Sequence, residues 1–238
     1  MNSVIEEKDC THPTRFLWLP RLQVNRIREI GLGPWSETHP GEPRPDDPTS
    51  SNYDGRFDSV LLNDGDRRNV LDRYRYWTVA AIKADLDARG RHDFEVAVEN
   101  WTHDFNIGSM VRTANAFQAK RVHIVGPHKV ESQGALMTEL YQHVEHHPSI
   151  AELVESWHHR IAGEIAYERA KAGAAAIHAH DVAVDGDNKH LHELLAEIDA
   201  CDARIKELQA ARVIALDIIP GAVPMEAYAF PKRCLLLF

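Results

Sequence analysis

Two short runs of strand-forming residues, Phe94–Glu99 (FEVAVE) and Arg121–Val125 (RVHIV), flank a stretch with helical spacing from 107 to 119. Strand, three-turn helix and strand make a β-α-β unit, which requires a parallel pair and a right-handed crossover. Gly126-Pro127 closes the second run. Two later runs, Val213–Asp217 (VIALD) and Cys234–Phe238 (CLLLF), are almost continuously apolar, as strands covered on both faces are. The expected fold class is therefore α/β with an open parallel sheet.

The remaining periodicities are helical. Val70, Tyr74, Trp77, Ala81 and Ile82 recur at three- and four-residue steps, which predicts one helix from Asp66 to a stop near Gly90. Residues 135–147 are helix-compatible up to Pro148. Ile150, Leu153, Val154, Trp157, Ile161 and Ile165 mark a long amphipathic helix, and Asp185–Asn188 a turn. Leu191, Leu194, Ile198, Cys201, Ile205 and Leu208 then form a heptad seam. Two such helices make a hairpin. Its seam can pack against Trp157, Ile161 and Ile165, or bind a partner helix. Residues 1–65 read as an N-terminal appendage. It holds a short packed segment, Leu17 to Ile30, and a proline-rich linker or surface wrap from Thr38 to Asn52. Residues 66–238 read as the α/β domain, with the hairpin inserted at about 158–212.

Composition narrows the function. The formal charge is −9, and residues 151–212 carry −5 of it (7 Lys/Arg against 12 Asp/Glu), so any basic surface is local. Three scattered cysteines without a CxxC pair point to thiols in a reducing compartment. The N-terminus lacks the basic start and apolar core of a signal peptide, and no 18-residue apolar run occurs. A cytoplasmic protein without a membrane partner is expected. There are 15 histidines, including His143, His146 and His147 and the pairs His158/His159, His178/His180 and His190/His192. No HExxH accompanies them, so they are read as solvated or capping groups and no metal site is expected. Dinucleotide, P-loop and hydrolase-elbow signatures are missing from the sequence.

The segment Asn106-Ile-Gly-Ser-Met-Val-Arg-Thr-Ala-Asn-Ala-Phe117 carries the chemistry. Asn106 is placed to cap the helix, and Gly108 and Ser109 are small enough for close backbone approach. Met110, Ala114 and Phe117 can face the sheet. Arg112 becomes a fixed guanidinium near the sheet's carboxyl edge, aimed at an anion or sugar–phosphate. Six helical residues turn through roughly 600°. Asn106 and Arg112 therefore converge only if Asn106 lies in the loop before the first turn.

This segment resembles motif 1 of the SpoU/TrmH family of RNA ribose methyltransferases, N-x-G-x-x-x-R-T-A-x-A-F-G. Asn106, Gly108, Arg112, Thr113, Ala114, Ala116 and Phe117 match, and Gln118 stands at the final glycine. Arg121–Val125 looks like the family's second strand. Val213–Asp217 with Pro220-Gly221-Ala222 looks like the strand and loop before its cofactor site, and Leu235–Phe238 like the strand leading into motif 2. The likeness covers about 94–148 and 213–238. It implies a SPOUT-type (alpha/beta knot) sheet without the C-terminal knot, because motifs 2 and 3 would follow Phe238.

The implied activity is methyl transfer from S-adenosylmethionine to a ribose 2′-hydroxyl of tRNA or rRNA, with a homodimer as the family's assembly. By resemblance Arg112 and Asn106 are catalytic. Asn106, Gly108, Ser109 and Arg112 bind the substrate, and Leu216 and Asp217 touch the cofactor. The alternative is a non-catalytic RNA-binding or assembly protein derived from that family. A third reading is a protein-interaction module that works through the hairpin.

Overall fold

A computed structural model describes residues 31–101, 106–128, 132–185 and 187–238. Cys10 and the Leu17–Ile30 segment lie outside them. In chain order the helices and strands are α1 (Trp35–Thr38), α2 (Ser59–Asp64), α3 (Val79–Ala88), β1 (His92–Glu99), α4 (Asn106–Ala116), β2 (Ala119–Val125), β3 (Val144–His147), α5 (Ile150–Asp185), α6 (Asn188–Gln209), β4 (Arg212–Ala215) and β5 (Cys234–Leu237). The five strands form one sheet in the order β3-β2-β1-β5-β4, and every neighbouring pair is parallel. The open parallel α/β sheet is as the strand runs indicated.

Side-chain alternation gives the sheet two faces. Val96, Val98, Val122 and Ile124 pack under α4 with Ile107, Val111 and Ala114. Ala97, Val125 and Leu235 pack on the other side under Leu153, Trp157 and Ile161 of α5 and Leu208 of α6. The hairpin begins at Ile150, and α5 runs for 36 residues, about 54 Å at 1.5 Å per residue. Leu191, Leu194 and Ile198 of the heptad seam close against Ala175, Ala179 and Val182, so the seam is used within the chain. Asp187 caps α6 by accepting from the His190 amide.

Two expected helices are different in the structure. The stripe from Asp66 to Gly90 is helical only from Val79, after a single 3₁₀ turn at Asp72–Tyr74. The buried Asp66 carboxylate takes the backbone amides of Arg68 (3.0 Å) and Tyr76 (2.9 Å), and Tyr76 adopts φ +62°. Side-chain capture of those amides displaces the helical ladder. Residues 31–65 pack onto the same region. Trp35 and Leu62 surround Tyr76, and Leu32 bridges to Asp66. The proline-rich stretch is a turn-rich surface segment in which Asp54 N donates to Pro45 O at 2.8 Å.

The second correction is 135–147, expected as helix. It holds the last residue of one 3₁₀ turn (Ser132–Ala135), a second turn at Thr138–Leu140 and strand β3. Leu136 and Met137 take left-handed φ values, and Val144–His147 pair with Val122–Val125 of β2. Pairing to a strand edge overrides local helix preference.

A buried ionic cluster fastens the α5 face. Arg233 and Glu95 are both fully buried, joined by a 2.8 Å bond from Arg233 Nη2 to Glu95 Oε1. Arg233 also donates to the Asp93 carbonyl and to both oxygens of Glu164 on α5. His123 Nε2 meets Glu95 Oε2 at 2.6 Å. Burial alone would raise the Glu95 carboxyl. The His123 hydrogen bond and the Arg233 charge outweigh it and hold it at about 2.

Glu95 therefore contributes stability that is fully present above pH 4.5 and lost as pH falls towards 2, worth about 3 kcal/mol in total. Urea midpoints measured from pH 7 to pH 2 should fall across that window. In Glu95→Gln the slope there should shrink by up to one proton. An unchanged slope would place the titration elsewhere.

Candidate functional site at the carboxyl rim of the sheet

Ligand sites in open parallel sheets form beyond the carboxyl ends of the strands. In this chain β1 is the central strand, and α4 starts a few residues after its carboxyl end. The rim is tied together by Asn100, which is buried. Its amide donates to Val125 O at 2.7 Å and its side chain to His128 O at 3.0 Å. Gly126 sits in the same crossing with φ +120°, where an added Cβ would come 2.8 Å from the Asn100 carbonyl.

The motif segment is one helix from Asn106 to Ala116, with Phe117 in the turn that follows. Ile107, Gly108, Val111 and Ala114 are its buried residues. Asn106 is the first helical residue rather than a cap in the preceding loop. Its exposed position, with Ser109, Met110 and Thr113, forms a second face beside the core face. That face lines a groove of about 460 Å³ whose floor includes Val96 and Leu236, with Phe238 and Phe117 as walls. The groove is mainly apolar. Its polar groups are Asn106, Ser109 and Thr113, and the Thr113 hydroxyl donates to Ser109 O at 2.9 Å.

Arg112 is exposed and has no hydrogen bond or ion pair among the described residues. Six residues separate it from Asn106, so on a regular helix it points roughly 240° around the axis from that side chain. The structure therefore brings Asn106 and Ser109 together on the groove wall, keeps Gly108 on the buried core face and puts Arg112 on another face. A free guanidinium on an outer face can contact an anion that lies across the helix. Among the described residues most of the other arginines are engaged: Arg44, Arg56, Arg68, Arg75, Arg89, Arg91, Arg121, Arg160, Arg204 and Arg233 all pair with carboxylates.

Leu216 and Asp217 lie at the carboxyl end of β4. The Leu216 amide donates to Leu237 O at 2.8 Å, which extends the β4–β5 ladder, and Asp217 is exposed. Two strand spacings of about 4.8 Å put this corner about 10 Å from the end of β1. The connection that follows presents Ile218, Ile219, Val223 and Met225 to solvent. Phe238, between the two corners, donates its amide to Ala97 O at 3.0 Å. The sequence reading missed Leu236 and Phe238 as groove residues, because which strand lies beside β1 is decided by pairing across about 140 positions.

The converging side chains with metal-ligand chemistry, His123, Glu145 and His147, lie on the opposite, α5 face. Among the described residues no helix is long and apolar enough to cross a membrane.

Gly126 tests the rim. Gly126→Ala places a Cβ against the Asn100 carbonyl in a left-handed conformation, which should cost about 1–3 kcal/mol by chemical denaturation. Gly163→Ala on α5, where an added Cβ meets nothing within 4 Å, should be neutral or stabilising. No family model matches the chain, and neither does any curated protein or solved structure.

Proposed function

We propose that this chain transfers a methyl group from S-adenosylmethionine to a ribose 2′-hydroxyl of tRNA or rRNA in the cytoplasm. It would do so as a SpoU/TrmH-type enzyme on a SPOUT-type sheet carrying α5–α6 as an insertion. One observation carries the reading. The motif from Asn106 to Ala116, all but its last residue Phe117, occupies a single helix that starts just beyond the carboxyl end of the central strand, where ligands of open α/β sheets bind.

S-adenosylmethionine would supply an electrophilic methyl on a sulfonium cation. Asp217, an exposed carboxylate beside the exposed Ile218 and Ile219, is a donor set suited to a cationic nucleoside. Arg112 acts as a cation rather than a base. A guanidinium pKa of roughly 12.5–13.8 is too high for proton abstraction near neutrality. Its role would be to hold the ribose–phosphate and to stabilise the developing alkoxide while the hydroxyl proton passes to solvent or an RNA phosphate, the 2′ oxygen bonding the methyl as its carbon–sulfur bond breaks and S-adenosylhomocysteine leaves. Asn106 and Ser109 orient the sugar from the groove side, while Gly108 is buried on the core face of the helix.

The separation of Arg112 from the groove face favours a second reading, an RNA-binding or assembly protein that uses Arg112 on phosphate without chemistry. Labelled methyl incorporation into unmodified tRNA and rRNA distinguishes the two. The first reading expects incorporation that a 2′-deoxy target abolishes and that Arg112→Ala slows by about 10²–10³-fold. Salt-sensitive RNA retention weakened by Arg112→Ala, with no methyl transferred, would leave the second reading. Neither methyl transfer nor RNA retention would end both.

A further inference from the structure

We propose that His123, Glu145 and His147 bind one divalent transition-metal ion, zinc by the chemistry of the donor set. The three residues come from two neighbouring strands. His123 of β2 stands opposite Glu145 of β3, and His147 follows two positions later, so all three share the face towards α5. The site lies on the opposite face of the sheet from the groove and is independent of the methyl-transfer reading.

The distances straddle those of ligands around an ion, and the shortest is also that of a hydrogen bond between the two rings. His123 Nδ1 and His147 Nε2 are 3.0 Å apart. Glu145 Oε2 lies 3.6 Å from the first and 3.8 Å from the second. A tetrahedral site with bonds of about 2.0–2.2 Å places its ligand atoms about 3.3–3.6 Å apart. The equidistant point in the plane of these three atoms is about 2.0 Å from each, and an ion a few tenths of an ångström out of that plane keeps zinc–nitrogen or zinc–oxygen bond lengths. As direct hydrogen bonds the two contacts of Glu145 Oε2 are too long.

The surroundings prepare the ligands. Glu95 Oε2 accepts from His123 Nε2 at 2.6 Å, which fixes the ring tautomer and leaves the Nδ1 lone pair turned towards the site. Glu95 is itself held by Arg233. This carboxylate–imidazole pairing is the arrangement that orients metal-binding histidines in proteins generally. Glu145 is held by Arg121 through Oε1 and by Arg160 through Oε2. Those guanidiniums aim the carboxylate but reduce the negative charge it offers. Glu145 is partly exposed, with 32% of its side chain accessible, so water can complete the coordination. Two imidazoles and one carboxylate suit zinc and its late first-row neighbours better than magnesium or calcium.

The test is a zinc titration of the chelator-stripped full chain against a chromophoric competitor. One equivalent should bind with a Kd of about 1 μM, and zinc should raise the melting temperature. His147→Ala and Glu145→Gln should each weaken binding by about 10–100-fold and lose the thermal shift. His143→Ala, whose ring contacts Asp87 instead, should bind as wild type. Apo melting curves of the variants separate a lost ligand from a lost fold. X-ray absorption should find nitrogen and oxygen neighbours at about 2.0–2.1 Å, with imidazole scattering. Failure of the wild-type chain to take up zinc, or unchanged affinity in His147→Ala and Glu145→Gln, would overturn the proposal.

Discussion

The buried guanidinium of Arg233 is the contact around which the α5 side of the sheet is arranged. It stands one residue before β5. It reaches the carboxylate of Glu95 on β1, the carbonyl of Asp93 and the carboxylate of Glu164 on α5, with the Trp157 ring 5.7 Å away. Burying a charge is strongly unfavourable unless it is paired and hydrogen-bonded. Here the pairing meets that requirement only when β5 lies against β1 and α5 lies above both. A single side chain thus selects the neighbour of the central strand, and with it the position of Leu236 and Phe238 beside α4.

The two faces of the sheet have different chemistry. The part of the sheet that α4 covers is apolar, so α4 is set by packing and its motif residues are carried on a rigid element. The α5 face mixes an apolar part under Trp157 with a polar strip running from Glu95 through His123 to Glu145 and His147. Lys120 and Arg204 extend that strip through Asp93 and Glu164. The rim site and the polar strip share strands β1 and β2 but face opposite sides.

What could be read from the residues follows from how local each signal is. The β-α-β unit, the hairpin and the runs at 213 and 234 are carried by periodicity within a dozen positions, and they appear close to where that periodicity puts them. The helical wheel also shows that Asn106 and Arg112 do not share a face, and the structure puts Asn106 inside the helix. Strand β3, Val-Glu-His-His, carries no apolar alternation that marks it as a strand, and only the edge of β2 makes it one. The break at Tyr76 depends on a carboxylate ten residues earlier. The meeting of His123 with His147, and of Glu95 with Arg233, depends on register between strands. Of the histidines that stand out by their spacing, 143, 146 and 147, only His147 takes part in the convergence.

If Arg233 fastens β5 into the sheet, its strand must not open independently of β1. Native-state hydrogen exchange of the Leu235–Leu237 amides measures this directly. They should exchange with the same free energy as the Val96–Val98 amides in the wild-type chain, and several kcal/mol more easily than those amides in Arg233→Met. Rapid exchange of β5 in the wild type while β1 stays protected would contradict the account.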